Sequence, residues 1–153
     1  MKKLIIILSI LFLAGNSWAD VIDELIPIII QAESSGRADV VGKNGEIGLM
    51  QITPEVSKMY IDNFYPKGHY DHYFSGKIKW QEKANLEDPE INVRIGIWYL
   101  RHLQTQLPEQ CRQSKKHLVS AYNNGIGWLK KHNYQPPKSH KNKIYNRIYK
   151  GEL

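Results

Sequence analysis

One carboxylate stands where the sequence pattern asks for an apolar side chain. Ile22, Leu25, Ile26, Ile29 and Ile30 recur at helical spacing and mark the buried stripe of an amphipathic helix. The next member of that stripe, three residues after Ile30 and four after Ile29, is Glu33. Gly36 then signals the helix end. Glu33 is therefore expected at a helix terminus, on the inward face, beside the glycine-rich loop from Gly42 to Gly48. Burial disfavours the ionised form of a carboxyl group and raises its pKa, which suits a general acid working near neutral pH. The competing reading is a helix-end glutamate that turns to solvent or pairs with Arg37.

Glycoside chemistry with two acids needs carboxyl groups about 5–5.5 Å apart for retention, or roughly 6.5–9.5 Å apart for inversion with a water between them. Asp39 and Glu46 are the nearby candidates in the chain, and both fall in the glycine-rich loop, where solvation is expected. Nothing in the sequence promotes either to a catalytic role. No metal site is expected: His69, Asp71 and His72 do not have the spacing of a familiar ligand set, and a fourth ligand is lacking. No cofactor is expected. Cys111 is the single cysteine, so no intramolecular disulfide can form, and without a base partner it reads as an incidental thiol.

The elements that must hold Glu33 follow from the punctuation. The first helix runs to about Ser34, starting at Asp20 or Asp23; Pro27 favours the later start, because a proline is tolerated in the first turns. Residues 36–48 read as a loop or small hairpin around the turn Lys43-Asn44-Gly45. Thr53-Pro54-Glu55 opens a helix to about Tyr60. Residues 60–87 are dense in aromatics, among them Tyr65, Tyr70, Tyr73, Phe74 and Trp80, and read as a satellite core or a lip for sugar rings. Asp88-Pro89 starts a long helix to about Gln106 that buries Ile91, Ile95, Trp98 and Leu103. Further helices are expected over Lys115–Asn123, capped by Gly125, over Gly127–His132, and over Ser139–Tyr149. The fold class is mainly α, a single compact helical domain with at most a small β-hairpin.

The chain of 153 residues is long enough for one domain with a real core. Residues 1–19 read as a secretory signal peptide: Lys2 and Lys3, an apolar run from Leu4 to Leu13, and the cleavage site Ser17-Trp18-Ala19. An uncleaved anchor is the alternative, but the apolar run is short for a bilayer. The domain is then 20–153, exported to the periplasm, with no stable membrane span after cleavage. Losing both signal lysines takes the net charge from +6 to +4, which favours an anionic partner such as a cell-wall polymer. The lysine- and tyrosine-rich C-terminus could resemble a nucleic-acid surface, but export argues against nucleic acid and for an anionic wall or membrane.

Glu33-Ser34-Ser35-Gly36, Gly48-Leu49-Met50-Gln51-Ile52 and Ala121-Tyr122-Asn123-Asn124-Gly125 resemble, in order, the three motifs of the soluble lytic transglycosylases. That family belongs to the lysozyme-like superfamily and is related to goose-type lysozyme. Asp88 to Asn92, with Gly96 and Tyr99-Leu100, resembles the segment before Ala-Tyr-Asn, and the resemblance spans roughly residues 21–149. It implies a lysozyme-like fold and cleavage of the peptidoglycan β-1,4 bond between N-acetylmuramic acid and N-acetylglucosamine, with a 1,6-anhydromuramoyl product. Glu33 would be the catalytic acid, then base. Ser34, Met50 and Gln51 would line the substrate, Tyr122 and Asn123 would orient Glu33 or the sugar's acetamido group, and Tyr145 would match an aromatic whose hydroxyl approaches the acid. For Met50 and Tyr122 the plain alternative is ordinary core.

Three departures stand out: Lys141-Asn142-Lys143 where the family has Glu-Thr-Arg, Thr53 where many members have Met, and Gly42 where many have Ser. Small size resembles members that open the wall for secretion or conjugation machinery. The other readings are a hydrolysing goose-type muramidase and a non-catalytic peptidoglycan-binding scaffold.

Overall fold

The computed structural model describes residues 20–64 and 85–153. Within them lie six α-helices: α1 (Val21–Glu33), α2 (Pro54–Phe64), α3 (Pro89–Gln106), α4 (Lys115–Asn124), α5 (Ile126–Lys131) and α6 (Lys143–Lys150), with a 3-10 turn at Glu109–Cys111. The expected signal peptide, most of the aromatic segment and the His69, Asp71, His72 group lie outside the described residues.

Helix α1 begins earlier than the proline implied. Asp20 caps it, its carboxylate accepting from Ile22 N at 3.2 Å, and Pro27 sits inside the helix. The proline is tolerated because it lies on the exposed side, where the carbonyl it leaves unpaired can meet water. The opposite side carries the stripe: Ile22, Leu25 and Ile29 have no exposure. This face packs on α3 and α6; α3 in turn packs on α2 and α4, and α4 on α5 and α6.

Helix α3 opens at Asp88 as expected, its side chain accepting from Glu90 N and Ile91 N. Its buried stripe is rotated from the expected one. Asn92, Ile95, Gly96, Leu100 and Leu103 face inward, whereas Ile91 and Trp98 are half-exposed. The reason is tertiary: Gly96 receives the Met50 side chain, and Asn92 bonds the glycine loop. Asn92 has no exposure, so each of its bonds replaces one it would have made to water. Its Oδ1 accepts from Met50 N at 2.8 Å, and its Nδ2 donates to Ile47 O and Leu86 O, both at 2.8 Å.

Among the described residues there is no strand, only isolated bridges pairing Val41 with Ile47 and Ile47 with Ile52. Gly42 N donates to Glu46 O at 2.7 Å and Gly48 N to Val40 O at 2.9 Å, so the segment is a tightly closed turn. Helix α2 runs one turn past its expected end at Tyr60, where Tyr60 and Phe64 pack together at 4.8 Å. Helix α6 starts four residues after the expected Ser139, because Asn142 caps Ile144 N and Tyr145 N. Cys111 is buried and unpaired, consistent with a thiol that only packs.

Candidate active site

Glu33 is the last residue of α1 and is half-buried. The side chain turns to Tyr145 rather than to Arg37: Tyr145 Oη, from α6, donates to Glu33 Oε1 at 2.5 Å. Burial lifts the Glu33 pKa above the ordinary carboxyl value, the Tyr145 bond pulls it back, and the charge of Glu46 adds to the lift. Tyr145 is 2% exposed. Burial, the Glu33 charge and the shared hydrogen bond hold its phenol well above the usual value, so it remains a donor.

Removing the Tyr145 hydroxyl has a signed consequence. The bond lowers the Glu33 pKa, so Tyr145→Phe should raise it further. The alkaline limb of activity should then move to higher pH, with kcat falling about tenfold as the acid loses its positioning bond. A pH–rate profile of the variant reads both; an unmoved limb contradicts the coupling.

The turn beside Glu33 is assembled from short-range bonds. Gln51, at φ +50°, sends Nε2 to Val40 O at 3.1 Å and Gly48 O at 3.0 Å. Its amide thus ties the turn to itself, a role the sequence did not disclose, while the residue still lines the neighbouring pocket. The Glu46 carboxylate accepts from Asn44 N at 2.9 Å and Asn44 Nδ2 at 2.8 Å, bonds that hold its pKa below the usual carboxyl value. A Cβ at Gly42 would lie 2.3 Å from Glu46 Oε2, so the space a larger residue at 42 would need is taken by this acid.

Tyr122 Oη donates to Met50 O at 2.7 Å, not to Glu33. Its neighbourhood with Glu33 is electrostatic: burial first, then the Glu33 charge, push its pKa well up. Tyr122, Tyr99, Gln51, Ile52, Thr53 and Val56 line an open pocket of about 110 Å³. Tyr99 was missed as a wall of this pocket; its ring sits 5.7 Å from Tyr122, and the only hint was its place in the segment before Ala121.

Two residues expected to line the substrate have their partners within the protein. Met50 has no exposure and its side chain packs on Gly96. Ser34 is 5% exposed, and its hydroxyl donates to Ile30 O at 3.1 Å, closing the helix end. Asn123 is half-buried; its Nδ2 is buried near Tyr149, yet neither that nitrogen nor Tyr149 Oη completes a well-formed hydrogen bond among the described residues. No cluster of three or more potential metal ligands occurs among the described residues.

The family model described as the Transglycosylase SLT domain matches residues 13–145. The chain is 30% identical over 125 residues to the endo-type membrane-bound lytic murein transglycosylase A of Klebsiella pneumoniae, covering 76% of this chain and 53% of that protein. It is 33% identical over 123 residues to the protein of that name in Citrobacter koseri, with the same two coverages. It is 32% identical over 92 residues to the membrane-bound lytic murein transglycosylase E of Buchnera aphidicola, covering 60% and 39%. The chain spans about half the length, or less, of these curated relatives. No solved structure matches it significantly.

Proposed function

The chain belongs to the transglycosylase SLT domain family, and from that premise we propose that it is a peptidoglycan lytic transglycosylase acting through Glu33. One observation carries the reading: a half-buried glutamate with a raised pKa, bonded by a buried tyrosine hydroxyl and, among the described residues, by no cation. Such a group is protonated where an ordinary carboxyl is ionised. It can therefore protonate the glycosidic oxygen between N-acetylmuramic acid and N-acetylglucosamine. The departing bond leaves Glu33 as a carboxylate, which then accepts the proton of the C6 hydroxyl as that oxygen closes on C1. The sugar's acetamido group supports the developing positive charge, the product is a 1,6-anhydromuramoyl end, and no water is consumed. The names of the relatives support this chemistry.

Gln51 and Tyr122, which border the pocket, are the proposed sugar-binding residues together with Asn123, the neighbour of Tyr122, and Thr53 sets a detail of that wall. We read the protein as exported to the periplasm after loss of residues 1–19, serving a secretion or conjugation apparatus that must pass the wall. No helix among the described residues is long and apolar enough to cross a membrane. The purified protein should release soluble muropeptides from isolated sacculi; intact sacculi after prolonged incubation would refute the reading.

A second reading is favoured by Glu46, whose charge reaches Glu33. Two acids with pKa values pushed apart are the arrangement of a hydrolysing muramidase. Glu46→Gln separates the two. For a transglycosylase, activity stays within about threefold, since the change removes a solvated charge and at most one of the two exposed Asn44 bonds to residue 46. Its alkaline limb then shifts to lower pH, because the charge that lifts Glu33 is gone. For a hydrolase using Glu46, activity falls by about two orders of magnitude or more.

A further inference from the structure

The charge of this chain is unevenly placed. Residues 115–153 hold nine lysines and arginines against one acid, Glu152, whereas residues 20–114 hold ten against fourteen. Two of the nine are paired, Lys115 with Glu24 and Arg147 with Glu152. Lys138, Lys141 and Lys143 are exposed and join no ion pair among the described residues.

The backbone between two of these lysines, Lys141 and Lys143, is tied to the end of α1. Asn142, between them, donates from Nδ2 to Ala32 O at 2.9 Å, one residue before Glu33. The same turn is bonded within itself: Asn142 N donates to His140 Nδ1 at 3.0 Å, and His140 N to Asn146 Oδ1 at 3.1 Å. Three residues past Asn142, Tyr145 reaches Glu33. The backbone that carries Lys141 and Lys143 is thus tied to the catalytic end of α1, while their ammonium groups point to water.

We propose that Lys141 and Lys143 form a cationic shelf at the active site that binds the carboxylates of murein stem peptides, so that peptide-bearing glycan is preferred to bare glycan. The proposal rests on the substrate class given above. Murein sugars next to the scissile bond carry these peptides on the muramic acid, and each peptide presents free carboxylates. An anionic bilayer is the less fitting partner. Peripheral membrane helices bury an apolar face in the lipid, whereas the apolar face of α6, with Tyr145, Ile148 and Tyr149, is packed in the core. None of the exposed large apolar residues, Val41, Met59, Phe64 and Leu153, lies in this turn or helix.

The test is binding by the Glu33→Gln protein, so it does not depend on turnover. Soluble glycan strands are titrated with peptides intact and again after an amidase has stripped them. Lys141→Glu with Lys143→Glu should weaken binding to peptide-bearing strands about tenfold, the size expected of two exposed charge pairs. Binding to stripped strands should not change, and added salt should erase the difference. Lys141→Arg with Lys143→Arg should keep the preference. Equal loss on both strands, no loss on either, or loss instead of binding to phosphatidylglycerol vesicles would overturn the proposal. Peptide-dependent binding by a protein that never cleaves sacculi would refute the enzyme reading and leave the shelf standing.

Discussion

Glu33→Gln should lower murein cleavage about a thousandfold or more, the range for removing a general acid, while the fold stays intact. The substitution is nearly isosteric, and Tyr145 Oη can still donate to the amide oxygen. The stability effect has a definite sign. In the folded protein the Glu33 pKa lies above its unfolded value, burial being the chief cause. The stability Glu33 contributes is therefore fully present below the unfolded carboxyl value of about 4.3. It is lost as pH rises through the folded value. Relative to wild type, the Gln variant should gain melting temperature at pH 7–8 and show little gain near pH 4. Thermal melts at the two pH values check this, and a gain independent of pH would mean that Glu33 is not held in its neutral form. A scaffold that binds wall polymer without turnover would show no activity to lose.

The second large effect lies in the turn. Gly48→Ala should destabilise the protein by about 4 kcal/mol, from roughly 1–2 for a left-handed non-glycine residue and roughly 1–3 for overpacking. Gly48 has φ +80°, and a Cβ there would lie 2.3 Å from both Leu86 O and Asn92 Nδ2. One of those atoms is backbone. The other belongs to the buried amide that holds Met50 N, Ile47 O and Leu86 O together. None can yield without breaking bonds made inside the core. The melting temperature should fall by roughly 10–20 °C. Gly36→Ala is the control: its φ is +81°, but a Cβ meets nothing within 4 Å, so only the backbone cost of about 1–2 kcal/mol remains. Equal losses in the two variants would show that packing against Asn92 contributes nothing.

The helical periods that place Glu33 were legible because they are local. Four isoleucines and a leucine in one stripe leave only one face for the residue that follows them, and the structure puts Glu33 there. The caps at Asp88 and Gly125 were legible for the same reason. What escaped depends on partners far along the chain. Asn92 reads as a polar break in an apolar pattern until residues 42 to 45 positions away supply its bonds. Met50 looks like a neighbour of the substrate because Gln51 does, yet adjacent residues in a turn point in different directions, and Met50 turns to Gly96. The start of α6 was misplaced because Asn142 is fixed by Ala32, 110 residues away. Tyr145 was the poorest motif match among the site residues, since its flanking residues differ from the family's; its hydroxyl nevertheless ends on Glu33.

The nature of the new glycan ends distinguishes one acid working alone from two working with water. Sacculi digested by the purified protein should yield muropeptides whose mass, determined by mass spectrometry, is that of 1,6-anhydromuramoyl ends, one water lighter than the hydrolysed product. Reducing muramic acid ends, formed by the wild-type protein and lost in Glu46→Gln, would contradict the account.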